Sequence, residues 1–471
     1  MMRILLVASS ARGHAIADAL MRSPQQPEII AVTPARNPGI GALASSHTVL
    51  PLHDTEAIVH IAQDAAVDFA IIGPEDPLAN GLADALQKRG IPSVAPLQSG
   101  ARIESSKRFA RDLMAKYDIG ASPLYRTFTD ANPDIIRHYI QHDLHGEYVV
   151  KFDALKGGKG VKVGGEHLDT VEDGVRYACD CIRECGAVVV EEKLQGVEFS
   201  LISFVSGTQV VHSPAVQDHK RAFTGDTGPN TGGMGTYSMP DHSLPFLDPQ
   251  DMQSAKAINE QVARALLAET GVPYRGFLYG GFMAVRDGIR VIEYNSRLGD
   301  PEALNILPLL TSDFAAVCNA IVAEELTEQL VTFAPKATVC LYVTPKSYPT
   351  AMKEKGAPVT FPTPNADGRI FFGDISQDDA GVLRLGRSRT AGIVGIGDTL
   401  EAARYTALSL CKAVDGPVRF REDIGSRELT DARCRTMRDL RRSAIVVTDH
   451  AESGTRDPAA AASCDAETSS K

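Results

Sequence analysis

Glu293 and Asn295 stand two residues apart in the stretch R-V-I-E-Y-N-S-R-L-G-D-P-E, which runs from Arg290 to Glu302. A carboxylate and an amide oxygen on one face of a strand make a pair of hard ligands. Such a pair suits Mg²⁺, or Mn²⁺ in its place, holding nucleotide phosphates. Arg297 continues that face and is placed to clamp a phosphoryl oxygen. Gly299-Asp300-Pro301 then turns the chain and presents Asp300 and Glu302 at the strand's end. A strand with a solvated polar face carries the same pattern, so the rest of the chain must separate the two readings.

Cations suited to phosphates lie upstream. Lys107 follows Ser106 at the opening of a helix over Arg108–Lys116, and Lys151 ends a strand over Tyr148–Lys151. The loop K-F-D-A-L-K-G-G-K-G-V comes next, with adjacent glycines that let backbone close over phosphates and Lys159 to supply charge. It is not a P-loop, because the G-x-x-x-x-G-K-[ST] spacing is absent. An apolar strand over Ala187–Val190 runs into Glu191 and Glu192. Two carboxylates at the end of a buried strand are costly unless paired or used. Glu198 follows in a strand over Glu198–Val205.

These groups need elements to hold them. Val291, Ile292 and Tyr294 mark a β-strand, and alternation puts Ile292 and Tyr294 opposite Glu293 and Asn295. The first hundred residues alternate strands (Arg3–Ala8, Ile29–Thr33, Phe69–Ile72) with helices (Arg12–Met21, Glu56–Ala65, Leu78–Lys88). That order predicts a doubly wound parallel sheet, with ligands beyond the carboxyl ends of its strands. The Ser9–His14 turn and the Gly73-Pro74-Glu75-Asp76 turn fall on that edge. In the last third, strands over Ala337–Val343, Arg369–Asp374 and Ile393–Ile396 precede a helix over Thr399–Asp415.

At 471 residues, 44% hydrophobic and 23% charged, the chain reads as globular, with roughly three domains. A net charge of −11 argues against a nucleic-acid partner, and no apolar run reaches membrane-spanning length. Eight cysteines without a spaced framework suit reduced thiols and a cytoplasmic location. Cys179, Cys181 and Cys185 cluster without a second pair of ligands, so no zinc site is expected there. Arg433–Arg442 carries five arginines, read as a solvated helix face, and from Thr448 the composition is that of a disordered tail.

Lysine, glycine-lysine loop, glutamate pair and a late Glu-x-Asn strand follow the order of an ATP-grasp domain. From the first strand to about Ile424 the chain resembles the phosphoribosylamine–glycine ligase (glycinamide ribonucleotide synthetase) family. The carriers are Gln217-Asp218-His219-Lys220-Arg221, the run D-T-G-P-N-T-G-G-M-G from Asp226 to Gly235, Gly276-Phe277-Leu278-Tyr279, Gly73-Pro74-Glu75-Asp76-Pro77-Leu78 and Ser105-Ser106-Lys107.

The resemblance implies an α/β N-terminal substrate domain (1–103), an ATP-grasp domain (104–329) with a small lid (about 122–194), and a mixed α/β C-terminal domain (330–425). A basic helix (426–447) and the tail (448–471) would follow. It implies that Lys107, Lys151 and Lys159 contact or cover ATP phosphates, Glu191 and Leu194 lie along adenine, and Glu198 takes the ribose. It implies Glu293 and Asn295 as Mg²⁺ ligands and Arg297 near the transferred phosphoryl group. Asp218, Lys220, Asp300 and Pro301 would receive the two small-molecule substrates, with Arg12, His14 and Glu75 on the amine side. The assembly would be a monomer or homodimer.

Two turns depart from the family pattern. Its G-N-G-G-R-E-H-A is here Ala8-Ser9-Ser10-Ala11-Arg12-Gly13-His14-Ala15, and its G-G-Y-P-G is Lys346-Ser347-Tyr348-Pro349-Thr350. A Cβ at positions 8, 10 and 11 is expected to narrow the first turn, remove access to positive φ and weaken use of phosphoribosylamine. Three functions remain open at this point: the ligase itself through glycyl phosphate, a paralogous carboxylate–amine ligase with another amine or acid, or a nucleotide-binding protein without turnover.

Overall fold

A computed structural model describes residues 1–157 and 159–452, apart from the side chains of 443–452. The N-terminal unit is β1 (Arg3–Val7), α1 (Ser10–Met21), β2 (Glu28–Thr33), α2 (Pro38–Leu43), β3 (Ser46–Val49), α3 (Thr55–Asp64), β4 (Phe69–Ile72), α4 (Glu75–Ala79), α5 (Leu82–Gln87) and β5 (Ser93–Val94). Its strands pair in parallel in the order β3-β2-β1-β4-β5. Strand order reverses direction between β1 and β4, and the crevice of such a sheet opens at that switch point. The turns after β1 and β4 flank it, as the sequence predicts. The single helix expected over Leu78–Lys88 is two, broken where Gly81 takes φ 79°.

Helices α6 (Gln98–Ser105) and α7 (Lys107–Lys116) lead into the small lid. It comprises β6 (Tyr125–Phe128), α8 (Pro133–His138), β7 (Tyr148–Phe152), β8 (Val161–Val163), α9 (Val171–Cys185) and β9 (Val188–Glu192), with antiparallel order β6-β9-β7-β8. Cys179 and Cys181 point into its core beside Val190 and Tyr148.

The grasp body follows with β10 (Val197–Ser206), β11 (Gln209–His212), β12 (Gln217–Asp218), the hairpin β13 (Arg221–Phe223) and β14 (Thr227–Asn230), and β15 (Gly235–Ser238). Then come α10 (Pro249–Thr270), β16 (Arg275–Val285), β17 (Gly288–Asn295), α11 (Glu302–Leu309) and α12 (Phe314–Ala323). Its central sheet is β11-β10-β16-β17, all antiparallel.

The C-terminal unit has β18 (Ala337–Pro345), β19 (Gly368–Phe372), β20 (Ile375–Gln377), β21 (Leu383–Leu385), β22 (Ala391–Gly397), α13 (Leu400–Lys412), β23 (Val418–Arg419) and α14 (Arg427–Glu452). Its sheet takes β12 and β15 of the grasp body at one edge, in the order β12-β15-β18-β22-β19. Body and C-terminal unit therefore share a sheet and one apolar core, where Leu278 and Tyr294 lie with Val339 and Ile393.

Two expectations about the end of the chain are corrected. The arginine helix is not a solvated face throughout: Arg433 pairs with Asp226, and Arg441 holds Asp248 and Asp251 at 2.7 Å. Helix α14 also runs through residues 448–452, which composition had assigned to the tail. The remainder of that tail lies outside the described residues. Among the described residues, no helix is long and apolar enough to cross a membrane.

Candidate active site

Strand β17 carries the acid-x-Asn pair to the edge of a hollow lined by Glu198, Asp218, Lys220, Tyr279, Ile292 and Glu293. Alternation had placed Ile292 with Tyr294, opposite Glu293. A β-bulge overturns that: Gly281 faces Glu293 and Phe282 faces Val291, leaving Ile292 unpaired. Val291 and Tyr294 both enter the core, while Ile292 lines the hollow beside Glu293. The freed Ile292 carbonyl accepts from Lys151 Nζ at 2.7 Å and from Arg111 Nη2 at 2.9 Å.

Lys107 is held by its helix. Ser106 caps α7 through the Phe109 amide at 3.0 Å, and its hydroxyl donates to Asp153 Oδ1 at 2.9 Å. Lys107 Nζ then reaches Glu293 Oε2 at 2.9 Å. The glutamate that needed a partner has two. Glu191 accepts from Arg111 Nε at 2.6 Å and lies 2.6 Å from Lys151 Nζ. Its side chain is 3% exposed, so it braces Lys151, and its carboxylate does not face open space. Leu194 is half-buried just beyond β9, Glu198 is exposed, and Lys159 stands exposed in the glycine loop.

These contacts set the charges. Burial raises the Glu293 carboxyl, but Lys107, Lys220 and Lys151 outweigh it and hold it well below the usual range. Burial lowers Lys151 to about 8, against the pull of Glu191. Below about 8 this ammonium is charged, and above it the charge is lost. If Lys151 grips phosphate, kcat/KM for ATP should fall roughly tenfold per unit above that pH, and Lys151→Arg should abolish the alkaline limb. A profile flat to about pH 9.5 in the native chain would refute this.

Across the hollow, Lys220 Nζ meets Glu198 Oε2 at 2.9 Å and is pushed up by it. Glu302 is buried and Asp218 half-buried, and both carboxyls are raised, Asp218 by desolvation and then by Glu302. Tyr279 donates to Glu302 at 3.0 Å, and the His219 amide to Asp218 at 2.7 Å. Gly233, at φ 106°, lies so close that a Cβ would stand 2.6 Å from Pro301 Cδ and 2.7 Å from Asp218 Oδ1. That close approach explains one glycine of the D-T-G-P-N-T-G-G-M-G run.

The grasp body meets the N-terminal switch point at Arg297 and Asp300. Arg297 Nη2 pairs with Glu104 at 2.9 Å, and its Nε lies 3.4 Å from Glu75. Arg12 is buried, donates to the Leu298 carbonyl at 2.8 Å and lies 3.8 Å from Glu75. Burial and the facing Arg297 lower Arg12, while Arg297 and Arg12 hold Glu75 down despite its burial. Asp300 accepts from Ser10 at 2.5 Å and from Tyr342, with Arg389 Nη2 at 3.4 Å. Its carboxyl sits at about 2, because Arg389, Arg12 and these hydroxyls overcome burial. His14 stands apart from this cluster. Its Nδ1 accepts from the Phe372 amide at 2.9 Å, between the rings of Phe371 and Phe372, and burial lowers it to about 4. It fastens α1 to β19.

Two family models match the chain: the N domain of phosphoribosylglycinamide synthetase over residues 2–104 and its ATP-grasp (A) domain over 105–303. A phosphoribosylamine–glycine ligase from Methanopyrus kandleri is 42% identical over 451 residues, covering 94% of this chain and all of the relative. One from Methanocaldococcus jannaschii is 41% identical over 447 residues, with the same coverage. The chain belongs to the phosphoribosylamine–glycine ligase family. A Thermotoga maritima ligase structure superposes with a TM-score of 0.75 at 29% identity, covering 90% of this chain and all of that one. The biotin carboxylase domain of Hydrogenobacter thermophilus 2-oxoglutarate carboxylase shares the fold, with a TM-score of 0.71 at 13% identity over 91% of this chain and 95% of that one.

Within this family member, the altered first turn includes a non-glycine residue at positive φ. Ser10 adopts φ 62° although it is not glycine, which corrects the expectation that a Cβ would deny positive φ. Ala8 and Ala11 are fully buried, their methyls turned into the core. A Cβ on Gly13 would stand 2.6 Å from that of Ala8, so the glycine at 13 accommodates the alanine at 8. Of the three replaced glycines, only position 10 presents its side chain to the crevice. The second altered turn leans on the hairpin: Arg419 bridges the Tyr348 carbonyl (2.7 Å) and the Ala222 carbonyl (2.8 Å).

Sequence reasoning missed Arg111, Glu104, Tyr342 and Arg389. Arg111 lies four residues after Lys107 on α7, so helical spacing was a usable signal. Arg389 donates to the carbonyls of Gly232 (2.6 Å), Gly233 (3.1 Å) and Asp300 (3.1 Å), from nearly ninety residues beyond Asp300. Nothing local marks it.

Proposed function

We propose that this chain joins glycine to 5-phosphoribosylamine at the expense of ATP, through glycyl phosphate, as a step of purine biosynthesis in the cytoplasm. One observation carries the reading. Lys107, Lys151 and Lys220 together hold Glu293 ionised at the wall of one hollow, which Asp218 also lines, with the buried Glu302 acting on Asp218.

Lys107, Lys151 and Lys159 hold the ATP phosphates, the strand after Glu191 with Leu194 borders adenine, and Glu198 takes the ribose. Glu293 and Asn295 fit Mg²⁺ or Mn²⁺, since Glu293 stays ionised and such an ion needs only one or two protein oxygens beside phosphates. That ion, when bound, neutralises charge on the transferring phosphoryl group.

Asp218 and Glu302 hold the glycine ammonium. An arriving cation pairs two carboxyls whose ionisation is otherwise disfavoured. Lys220 and Arg297 face the group in transfer. The glycine carboxylate oxygen attacks the γ-phosphorus, the bond to the β-phosphate oxygen breaks and ADP leaves. The amine nitrogen, at the side of Arg12, Glu75, Asp300 and Pro301, then attacks the acyl carbon. Phosphate departs and the nitrogen sheds its proton. The partners are small molecules, and the working form is a monomer or homodimer.

The test is ADP release with glycine and phosphoribosylamine generated in situ. Release should need both substrates, and none with phosphoribosylamine present would sink the reading. Ser10, standing where the family carries glycine, favours a second reading in which the amine differs, and a panel of amines decides between them. Glu302→Gln should raise KM for glycine by about tenfold to a hundredfold, the weight of a hydrogen bond to a charged group, with KM for ATP unchanged. An unchanged glycine KM would remove Glu302 from that role.

A further inference from the structure

Ser10 is the residue the reaction as described leaves unused. It is half-buried at the mouth of the β1/β4 crevice, where the sheet's topology places a ligand. Its backbone sits at φ 62°, a region costly for a residue with a Cβ unless the surroundings enforce it. The enforcing contact is the 2.5 Å hydrogen bond from its hydroxyl to Asp300, across 290 residues of sequence.

Asp300 also takes Tyr342 and faces Arg389, and it sits at about 2, so it stays an anion that only accepts. The single proton of Ser10 is therefore committed. What remains on Ser10 Oγ is a pair of acceptor sites, made more electron-rich by the bond to a carboxylate. Neighbouring Ala8 and Ala11 bury their methyls, so of the three positions where the family carries glycine only position 10 offers a side-chain acceptor.

We infer that Ser10 Oγ is a specificity-determining acceptor for the amine substrate, taking a hydrogen bond from one of its sugar hydroxyls or from its amino group. The inference rests on the ligase reading above and adds to it the group that selects the second substrate. A donor-rich, hydroxylated amine is favoured at this position, and an amine presenting only acceptors there is rejected.

Two variants test the hydroxyl on different backbones. Ser10→Ala removes the acceptor together with the contact that holds φ positive, while Ser10→Gly removes the acceptor but takes that φ without strain. Both should raise KM for phosphoribosylamine about tenfold or more, as for a lost hydrogen bond to a polarised group. KM for ATP and for glycine should not move. A KM for the amine unchanged in both variants overturns the inference. So does a parallel loss in all three KM values and kcat, which marks a structural role. A gain in phosphoribosylamine use by Ser10→Gly overturns it too, since the serine would then merely obstruct. If the native chain fails with phosphoribosylamine, it is the ligase reading that fails. The same two variants are then measured with whichever amine of the panel supports ADP release, so Ser10 remains under test.

Discussion

Glu293→Ala is expected to lower kcat for ADP formation by about a thousandfold or more, the scale lost with a group that acts only on developing charge. The carboxylate is the acid oxygen of the acid-x-Asn pair and the counter-charge of Lys107, 2.9 Å away. Without it Lys107 loses its anchor, and the metal ion proposed above would lose its charged ligand. The fold should persist, because Glu293 lines a hollow outside the core. The readouts are steady-state ADP release and a melting curve. Turnover within tenfold of the native chain at ordinary Mg²⁺ would end the assignment.

Arg111→Ala should cost the most in stability, about 3–5 kcal/mol, as for breaking a buried ion pair. Arg111 and Glu191 are each 3% exposed, and Arg111 also satisfies the carbonyls of Val291 and Ile292, at 3.0 and 2.9 Å. Its removal leaves Glu191 with Lys151 alone and strips a donor from the bulge that sets Glu293. Equilibrium urea denaturation reads the loss. A change below about 1 kcal/mol would mean that the pair behaves like one on the surface.

What was legible in the sequence was local. Phe69–Ile72 emerged with its observed bounds because a β-branched run between turn residues is a short-range signal. Ser106 read as the opening of α7 because capping is decided within four residues. Glu293 was placed on the face opposite Tyr294 because alternation survives beyond the bulge, whereas Ile292 was misplaced because a bulge depends on the partner strand. Arg389 and Tyr342 stayed hidden, since their role is to reach Asp300 from another unit of the chain. The first turn was half legible: the loss of three glycines showed, but not that two of the new methyls face the core.

Asp300 draws its partners from positions 10, 342 and 389, so it joins the first turn of the protein to some of its last strands. During synthesis Lys107 to Asn295 are all made before this carboxylate has two of its three partners, and before β18, the strand onto which β12 and β15 of the grasp body build. The substrate crevice proposed above is thus closed by strands made late in the chain. Asp218, on β12, waits on the same late strands, so neither side of the proposed site is complete until the C-terminal unit has been made.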